Sequence, residues 1–309
     1  MDLNLTAQLV ISGITQGATF AVLGLGTSLI LNVANRFHFA YAATITGSAF
    51  AAAVLQRDTG LPAVVCLVIA IAAAAVFGAL TEVVVYRPLA TRSGANATLP
   101  IFVSSLGVTL AVEAALQYYF TRESPTVPFN LVGDSVIALP FGLHTTRLDV
   151  ITLTVCGAIA AGAVVLLRYS RVGRIVRAVR ENPMMASAVG VRPQRVNVSI
   201  LFWASACAGL IGCLTAAKYS AAAGMGYGSL FSAFVVAFVS GQRAPGLRVV
   251  LVGVAVGLVQ SLSVLFIPAN LTDLVVFGIL FVYLSVKGLS AYGIRLPARH
   301  PVRLTAGRA

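Results

Sequence analysis

Residues 168–190 read RYSRVGRIVRAVRENPMMASAVG, a basic stretch that separates two long apolar runs of the sequence. Four apolar residues in it follow the i, i+3, i+4, i+7 spacing of an amphipathic helix: Val172, Ile175, Val176 and Val179. Arg171, Arg174 and Arg177 fall on the other side of that helix. The pattern therefore predicts a helix that lies at a membrane surface with its arginines in water.

A second, shorter helix is indicated by its terminal residues. Asn182 is a favourable N-cap, Pro183 suits the first helical position, and Gly190 suits the residue just past the end. A helix of about seven residues is not stable alone in water, so these residues are interpreted as preforming it. Met184, Met185 and Val189 would give it adaptable apolar contacts. We interpret it as a docking element for a soluble partner.

The composition indicates a membrane protein. Hydrophobic residues make up 59% of the 309 residues and charged residues only 10%, against roughly 25% charged residues in soluble domains. Since a membrane helix needs about 20 apolar residues, the sequence predicts an all-α polytopic membrane protein with eight to nine transmembrane helices. The predicted spans are 7–32, 38–56, 62–85, 97–120, 149–168, 196–218, 228–241, 248–267 and 271–287.

The distribution of basic residues predicts the orientation. Seventeen of the 21 lysines and arginines fall in loops and ends that share one side when the spans alternate, and four fall on the other side. Because basic residues accumulate on the cytoplasmic side, we expect an external N-terminus and an internal C-terminus. The chain reads as one transmembrane domain, 1–309, with a cytoplasmic loop at 169–195 and a basic cytoplasmic tail at 288–309. No basic patch interleaved with aromatic residues indicates a nucleic-acid surface.

Residues for catalysis or metal binding are sparse. The three histidines are far apart, the four cysteines lack metal-binding spacing, and no G-x-x-x-x-G-K-S/T motif is present for nucleotide phosphates. We therefore predict neither a catalytic residue nor a metal site. Glu82, near Arg87, and Glu113 are acids within predicted spans. Acids at that depth usually face protein or water. Two hypotheses therefore remain open for Glu113: it supports the structure, or it lines a path for the solute. Polar and aromatic residues around the first helical break are further path candidates: Asn32, Asn35, His38 and Tyr41.

Several short motifs occur in a specific order. Tyr86-Arg87-Pro88 follows the third predicted span, and Ala206-Cys-Ala-Gly-Leu210 lies in the sixth. Between them, Arg168-Tyr-Ser170, Gly173-Arg174, Arg177-Ala178 and Ala186-x-x-x-Gly190 occupy the basic stretch. In this order and spacing, the chain resembles the permeases of bacterial ABC importers for branched-chain amino acids, of the leucine/isoleucine/valine H-type, over most of its length.

The resemblance implies a function and a set of partners. It implies a permease in the bacterial inner membrane that imports branched-chain or related amino acids, without enzymatic activity or cofactor of its own. The implied partners are two cytoplasmic ATPases that use ATP, a second permease subunit, an external solute-binding protein and the lipid bilayer. The basic stretch would then be the coupling loop, and its coupling residues would be Arg174, Arg177, Arg180, Pro183, Met184, Met185, Ala186 and Gly190.

Two segments differ from the family pattern. The second span opens with His38-Phe-Ala-Tyr-Ala42 where these permeases usually carry N-F-A-H-G. Ser240-Gly-Gln-Arg-Ala-Pro-Gly246 replaces a glycine-rich G-G-x-G-S-x-x-G. These differences leave open another small solute, such as urea or an amide. A stand-alone secondary carrier or channel is the alternative function.

Overall fold

The computed structural model describes residues 3–93, 98–120, 126–133, 136–139, 143–241, 246–268 and 271–291. The predicted tail from residue 292 onward lies outside the described residues, as do residues 242–245 of the second divergent segment. The statements below concern the described part of the chain.

The chain is mostly helical. In chain order the helices are α1 (Leu3–Leu29), α2 (Ala40–Thr59), α3 (Ala63–Leu80), α4 (Arg87–Ser93), α5 (Thr98–Phe120), α6 (Arg147–Tyr169), α7 (Arg171–Glu181), α8 (Pro183–Ala188), α9 (Pro193–Tyr219), α10 (Met225–Ser240), α11 (Leu247–Ser263) and α12 (Thr272–Ala291). Two π-helical segments, Ile30–Ala34 and Thr81–Tyr86, extend α1 and α3. Four short strands are β1 (Thr126–Val127), β2 (Val136–Leu139), β3 (Leu143–Thr146) and β4 (Ala221–Ala222).

Among the described residues, length and hydropathy identify five helical stretches that can cross a membrane. They are Asn4–Ala34, Ala63–Arg92, Thr98–Phe120, Arg147–Tyr169 and Pro193–Tyr219. Three shorter apolar helices accompany them: Met225–Ser240, Leu247–Ser263 and Leu274–Lys287. The prediction of a polytopic helical membrane protein is therefore confirmed, with boundaries that shift by a few residues from the predicted spans.

The second predicted span, 38–56, differs from an ordinary span in its character. It corresponds to α2, whose first fourteen residues are nearly all buried. These residues are mainly Ala, Thr and Ser, because neighbouring helices surround α2 and leave room only for small side chains. Its low apolarity therefore reflects a central position in the bundle.

Two G-x-x-x-G pairs, Gly13/Gly17 in α1 and Gly253/Gly257 in α11, lie where these two helices pack. A Cβ added at Gly257 would overlap the backbone of Gly17, and one at Gly253 would overlap the backbone of Ala21. Gly13 makes a looser contact on the same interface, since a Cβ added there would lie 3.1 Å from the Leu258 Cα. Such G-x-x-x-G pairs let two helices approach closely. Here they pack helices of one chain against each other.

The segment between α5 and α6 packs on the bundle in its described part. β1 pairs antiparallel with β4, and β2 forms a hairpin with β3. Val127 and Phe129 are buried beside Phe50 of α2. The side chain of Gln8 in α1 bridges the backbone of His144 in the hairpin. We call this end of the bundle the hairpin end, and the end that carries α4, α7 and α8 the basic end.

Candidate functional site

The capping pattern predicted for α8 is confirmed. The Asn182 side-chain oxygen accepts hydrogen bonds from the backbone N–H groups of Met184 and Met185, at 3.0 and 3.1 Å. Pro183 is the first helical residue. Gly190 has a φ of +88°, in the left-handed region that glycine tolerates best. Asn182 also ends α7, so the two helices meet at a single residue.

The surface of α8 is apolar and exposed. Met184, Met185 and Val189 are 79%, 66% and 78% exposed. Ala186, predicted among the coupling residues, is instead buried against the protein. Exposed apolar side chains on a capped helix can dock into a groove of a partner. Ala186, on the opposite side of α8, would hold the helix against the protein.

The predicted apolar stripe of α7 divides into two parts. Val176 and Val179 are buried against the protein, whereas Val172 and Ile175 are exposed, as a side that faces a membrane surface would be. The reason is Gly173, whose lack of a side chain lets α7 pack directly on the backbone of Leu167 at the end of α6. That contact turns the Gly173–Val176–Val179 stripe toward the protein.

The arginines of α7 have different environments. Arg171 and Arg174 are exposed as predicted. Arg177 does not point away from the protein, because its guanidinium donates a hydrogen bond to the Leu167 carbonyl at 3.3 Å. Arg180 pairs with the adjacent Glu181. Arg177 therefore fastens α7 to α6, and Arg174 remains available to lipid headgroups or a partner.

The helical break is the non-helical segment 35–39 between the π-helical end of α1 and the start of α2. It brings together only some of the candidate path residues. His38 and Tyr41 are buried, with ring centroids 5.9 Å apart. His38 Nδ1 lies 2.7 Å from the Tyr86 hydroxyl, and the Tyr41 hydroxyl donates to the Ala204 carbonyl at 3.2 Å. These contacts tie the break to the Tyr86-Arg87-Pro88 motif and to α9.

The two asparagines and Glu113 lie apart from that pair. Asn32 donates a hydrogen bond to Ser28 at 3.0 Å, and Asn35 is exposed with a φ of +53°. Glu113 is buried on α5 and interacts with Tyr227 near the start of α10. It follows Ser105 by two turns on the same buried face of α5, about 12 Å along the helix axis.

A buried ion pair fixes the break, and sequence reasoning missed it. Arg36 Nη1 lies 2.9 Å from Glu82 Oε2, and the two side chains are 10% and 2% exposed. The Arg36 guanidinium also lies 5.7 Å from the centre of the Tyr86 ring. Burial lowers the pKa of Arg36, and Glu82 and Tyr86 oppose that shift. An acid inside a predicted span is a signal of a buried ion pair. In the sequence, however, Arg87 is closer to Glu82 than Arg36 is, so Arg36 was not recognised as the partner.

Ser105 of α5 also holds the segment between α1 and α2 in place. Its hydroxyl accepts from the Phe39 N–H at 3.3 Å and lies 3.2 Å from the Phe37 carbonyl. The connection between α1 and α2 is therefore held by side chains from two other helices. Such polar anchoring suits an irregular segment that is buried in protein.

A small polar cavity at the hairpin end is a second feature that sequence reasoning missed. It encloses about 110 Å³ between α1, α6, α9 and α10. Its polar lining consists of Ser12, Thr15, Gln16, Thr19, Asp149, Thr152, Thr215, Lys218 and Ser229. Phe20, Ile211 and Leu214 supply an apolar wall. The cavity thus offers hydroxyls, one apolar side and two opposite charges to a small solute.

The two charges in this cavity are paired. Lys218 Nζ lies 2.7 Å from Asp149 Oδ1, and the Thr146 hydroxyl donates to Asp149 Oδ2 at 2.8 Å. The hydroxyl of Thr146 also accepts from the Asp149 N–H at 3.1 Å, which caps α6. Asp149 is therefore held in place by Lys218 and Thr146, and the Lys218 ammonium also lies 5.6 Å from the centre of the Tyr219 ring.

These features together define a multi-pass helical membrane protein with a capped helix at one end whose apolar side chains are exposed. Comparison with known proteins identifies the family: residues 9–284 match the branched-chain amino acid transport system permease component. The chain belongs to this family.

Named relatives agree over nearly the whole length. The chain is 25% identical over 298 residues to BraD, a high-affinity branched-chain amino acid transport system permease protein of Pseudomonas aeruginosa. It is 24% identical over 298 residues to LivH of Escherichia coli K12, which has the same description. Each alignment covers 93% of this chain and 95% of the relative. No solved structure matches the chain.

Proposed function

We propose that this chain is the membrane-spanning permease subunit of an ABC importer that moves branched-chain or related amino acids into a bacterial cell. It would sit in the inner membrane beside a second permease subunit. Two cytoplasmic ATPases would use ATP, and an external binding protein would deliver the solute. The function given in the relatives' names and the family match over most of the chain support this proposal. No observation on the described residues favours a stand-alone carrier or channel.

The exposed apolar surface of α8 carries the proposal. Three large apolar side chains stand in solvent on a helix fixed at both ends, at the basic end of the bundle. A large exposed apolar patch marks an interaction site. Because Arg171 and Arg174 are exposed on the preceding helix α7, the fitting partner is a soluble subunit with an apolar groove and acidic residues beside it. ATPase closure would then move α8, and α7 would pass that motion to α6 through Gly173 and Arg177.

The path for the solute is also a proposal. His38 and Tyr41 are enclosed by protein, so they would act by shaping the bundle at the break. The polar cavity at the hairpin end would form the outer part of the path, with Lys218 and Asp149 meeting the opposite charges of an amino acid. Glu113 and Tyr227 would lie further along, with Asn32 and Asn35 nearer the basic end.

The test of the coupling role is a charge placed on the docking surface. Met185→Asp should weaken ATPase association by about 2 kcal/mol or more, the scale of an interface hot spot. This corresponds to roughly thirtyfold in affinity. Thr91→Asp on α4, which is exposed at the same end, is the matched control. Co-purification of the cognate ATPases and solute-stimulated ATP hydrolysis would be measured for both. Full coupling in Met185→Asp would reject α8 as the docking element.

A further inference from the structure

A cleft opens at the basic end between Arg87, the first residue of α4, which continues α3 and its extension, and the first turns of α9. It encloses about 570 Å³ and is lined by Arg87, Arg192, Gln194, Arg195, Val198, Ser199 and Phe202. Three of these seven residues are arginines. The cleft is separate from α8 and from the polar cavity at the hairpin end, and the transport function proposed above assigns it no role.

Helix geometry explains the cleft. α3 and α9 touch closely at Gly78, where an added Cβ would overlap the side chain of Ser205. From this crossing, Arg87 lies nine residues along one helix and Arg195 lies ten residues along the other, toward the same end of the bundle. Both are thus about 14 Å from the contact along their helix axes. The two helices separate over that length and leave the space that the arginines line.

None of the three guanidinium groups forms a close ion pair within the described residues, although Arg87 interacts electrostatically with Glu82. Arg87, Arg192 and Arg195 are exposed, and no carboxylate of the described residues lies within ion-pairing distance of any of them. Three like charges around one cleft favour an anion. Guanidinium groups bind phosphate oxygens in a bidentate geometry, so a phosphate group is the anion that fits best.

The surface beside the cleft is apolar. Val84 of the α3 extension and Trp203 of α9 are 65% and 66% exposed. Both belong to helices that are long and apolar enough to span the membrane, so in a bilayer these exposed side chains would be open to lipid chains. Phe202 lines the cleft itself, and its ring packs edge-to-face on Trp203 at 5.5 Å. An apolar surface therefore leads from the lipid-facing side directly to the arginines.

We propose that this cleft binds an anionic phospholipid, with the phosphate on Arg87, Arg192 and Arg195 and an acyl chain along Phe202 and Trp203. Basic pockets between transmembrane helices are suited to anionic headgroups. Lipid is favoured over an acidic protein segment because the cleft continues into a surface that faces the bilayer. The bound lipid would hold the Tyr86-Arg87-Pro88 motif against the start of α9.

The test measures lipid binding to the purified full-length chain in phosphatidylcholine nanodiscs. Phosphatidylglycerol would be added in steps, and bound lipid would be counted by native mass spectrometry. The cleft variant is Arg87→Gln/Arg192→Gln/Arg195→Gln. The control variant is Arg168→Gln/Arg171→Gln/Arg248→Gln, which removes the same charge from exposed arginines at the same end. We expect the cleft variant to lose about tenfold or more in phosphatidylglycerol affinity, and the control to change less than twofold.

Other outcomes would overturn the proposal. Equal losses in the two variants would mean diffuse surface charge, and no loss in either would mean that the cleft is not a lipid site. Protection against thermal unfolding by inorganic phosphate as strong as that by phosphatidylglycerol would identify a soluble anion. A cleft that serves an acidic protein would show no preference for phosphatidylglycerol over phosphatidylcholine. Unfolding midpoints in pure phosphatidylcholine would verify that the cleft variant is folded. If it is not, the single variant Arg87→Gln, at a position exposed to solvent, replaces it. Its phosphatidylglycerol affinity should fall about fivefold.

Discussion

Removing one partner of the buried Arg36–Glu82 pair should destabilise the bundle strongly. The charges are 2.9 Å apart with little solvent contact, and at an effective dielectric constant of about 20 they attract by about 6 kcal/mol. Desolvation offsets part of that attraction, so the pair itself contributes less. A single replacement, however, leaves one charge buried and unpaired. Glu82→Leu should therefore lower the free energy of unfolding by about 3–5 kcal/mol.

The double variant Arg36→Leu/Glu82→Leu separates the pair from simple loss of packing. Because no unpaired charge remains, most of the loss should be recovered, and the two single changes should be strongly non-additive. The exposed pair Arg57–Asp58 is the matched control, since its atoms are 2.8 Å apart but its side chains are 55% and 54% exposed. Asp58→Leu should cost less than about 1 kcal/mol.

Unfolding by sodium dodecyl sulfate titration in mixed micelles gives these free energies. Helical content, followed by circular dichroism, serves as the readout for all variants. The reasoning is wrong if Glu82→Leu costs no more than Asp58→Leu. It is equally wrong if the double variant is less stable than either single variant, because the two side chains would then contribute separately to packing.

Three further predictions address packing, orientation and the path. Gly257→Ala should lower the free energy of unfolding by about 1–3 kcal/mol because its Cβ overlaps Gly17. Gly157→Ala, in open space, should not lower it in the same titration. Equal losses in the two variants would contradict close packing of α1 on α11. With native cysteines replaced, Ser187→Cys should be shielded from an impermeant thiol reagent in intact cells and Ile137→Cys labelled, and the reverse pattern would invert the orientation. Lys218→Gln should lower uptake per assembled complex about tenfold, the loss of one charged hydrogen bond, whereas Arg57→Gln should not; unchanged uptake would remove the cavity from the path.

Local signals in the sequence were sufficient for α8. An N-cap, a proline at the first position and a glycine after the end act within a few residues, so Asn182, Pro183 and Gly190 could be read directly from the sequence. The apolar stripe of α7 was only partly predictable. Its periodicity shows which residues share a face, but only the contact of Gly173 with Leu167 decides which part of that face meets protein.

Tertiary contacts explain what the sequence did not reveal. Arg36 and Glu82 are 46 positions apart (82 − 36) and meet only because α3 and the break pack together. The polar cavity draws its hydroxyls from four helices, and a single threonine in an apolar span is an ordinary residue. His38 and Tyr41 were identified as notable, but their inward orientation depends on Tyr86 and α9.

The packing of α1 on α11 also sets a requirement on how the chain is made. Gly17 and Gly257 are 240 positions apart (257 − 17), and a ribosome that adds about 5–20 residues per second separates them by about 10–50 s. During that interval the first helix is in the bilayer without its closest neighbour. An incomplete chain therefore exposes the small-residue face of α1 to lipid and to quality-control proteases, and the bundle closes only when synthesis is nearly complete.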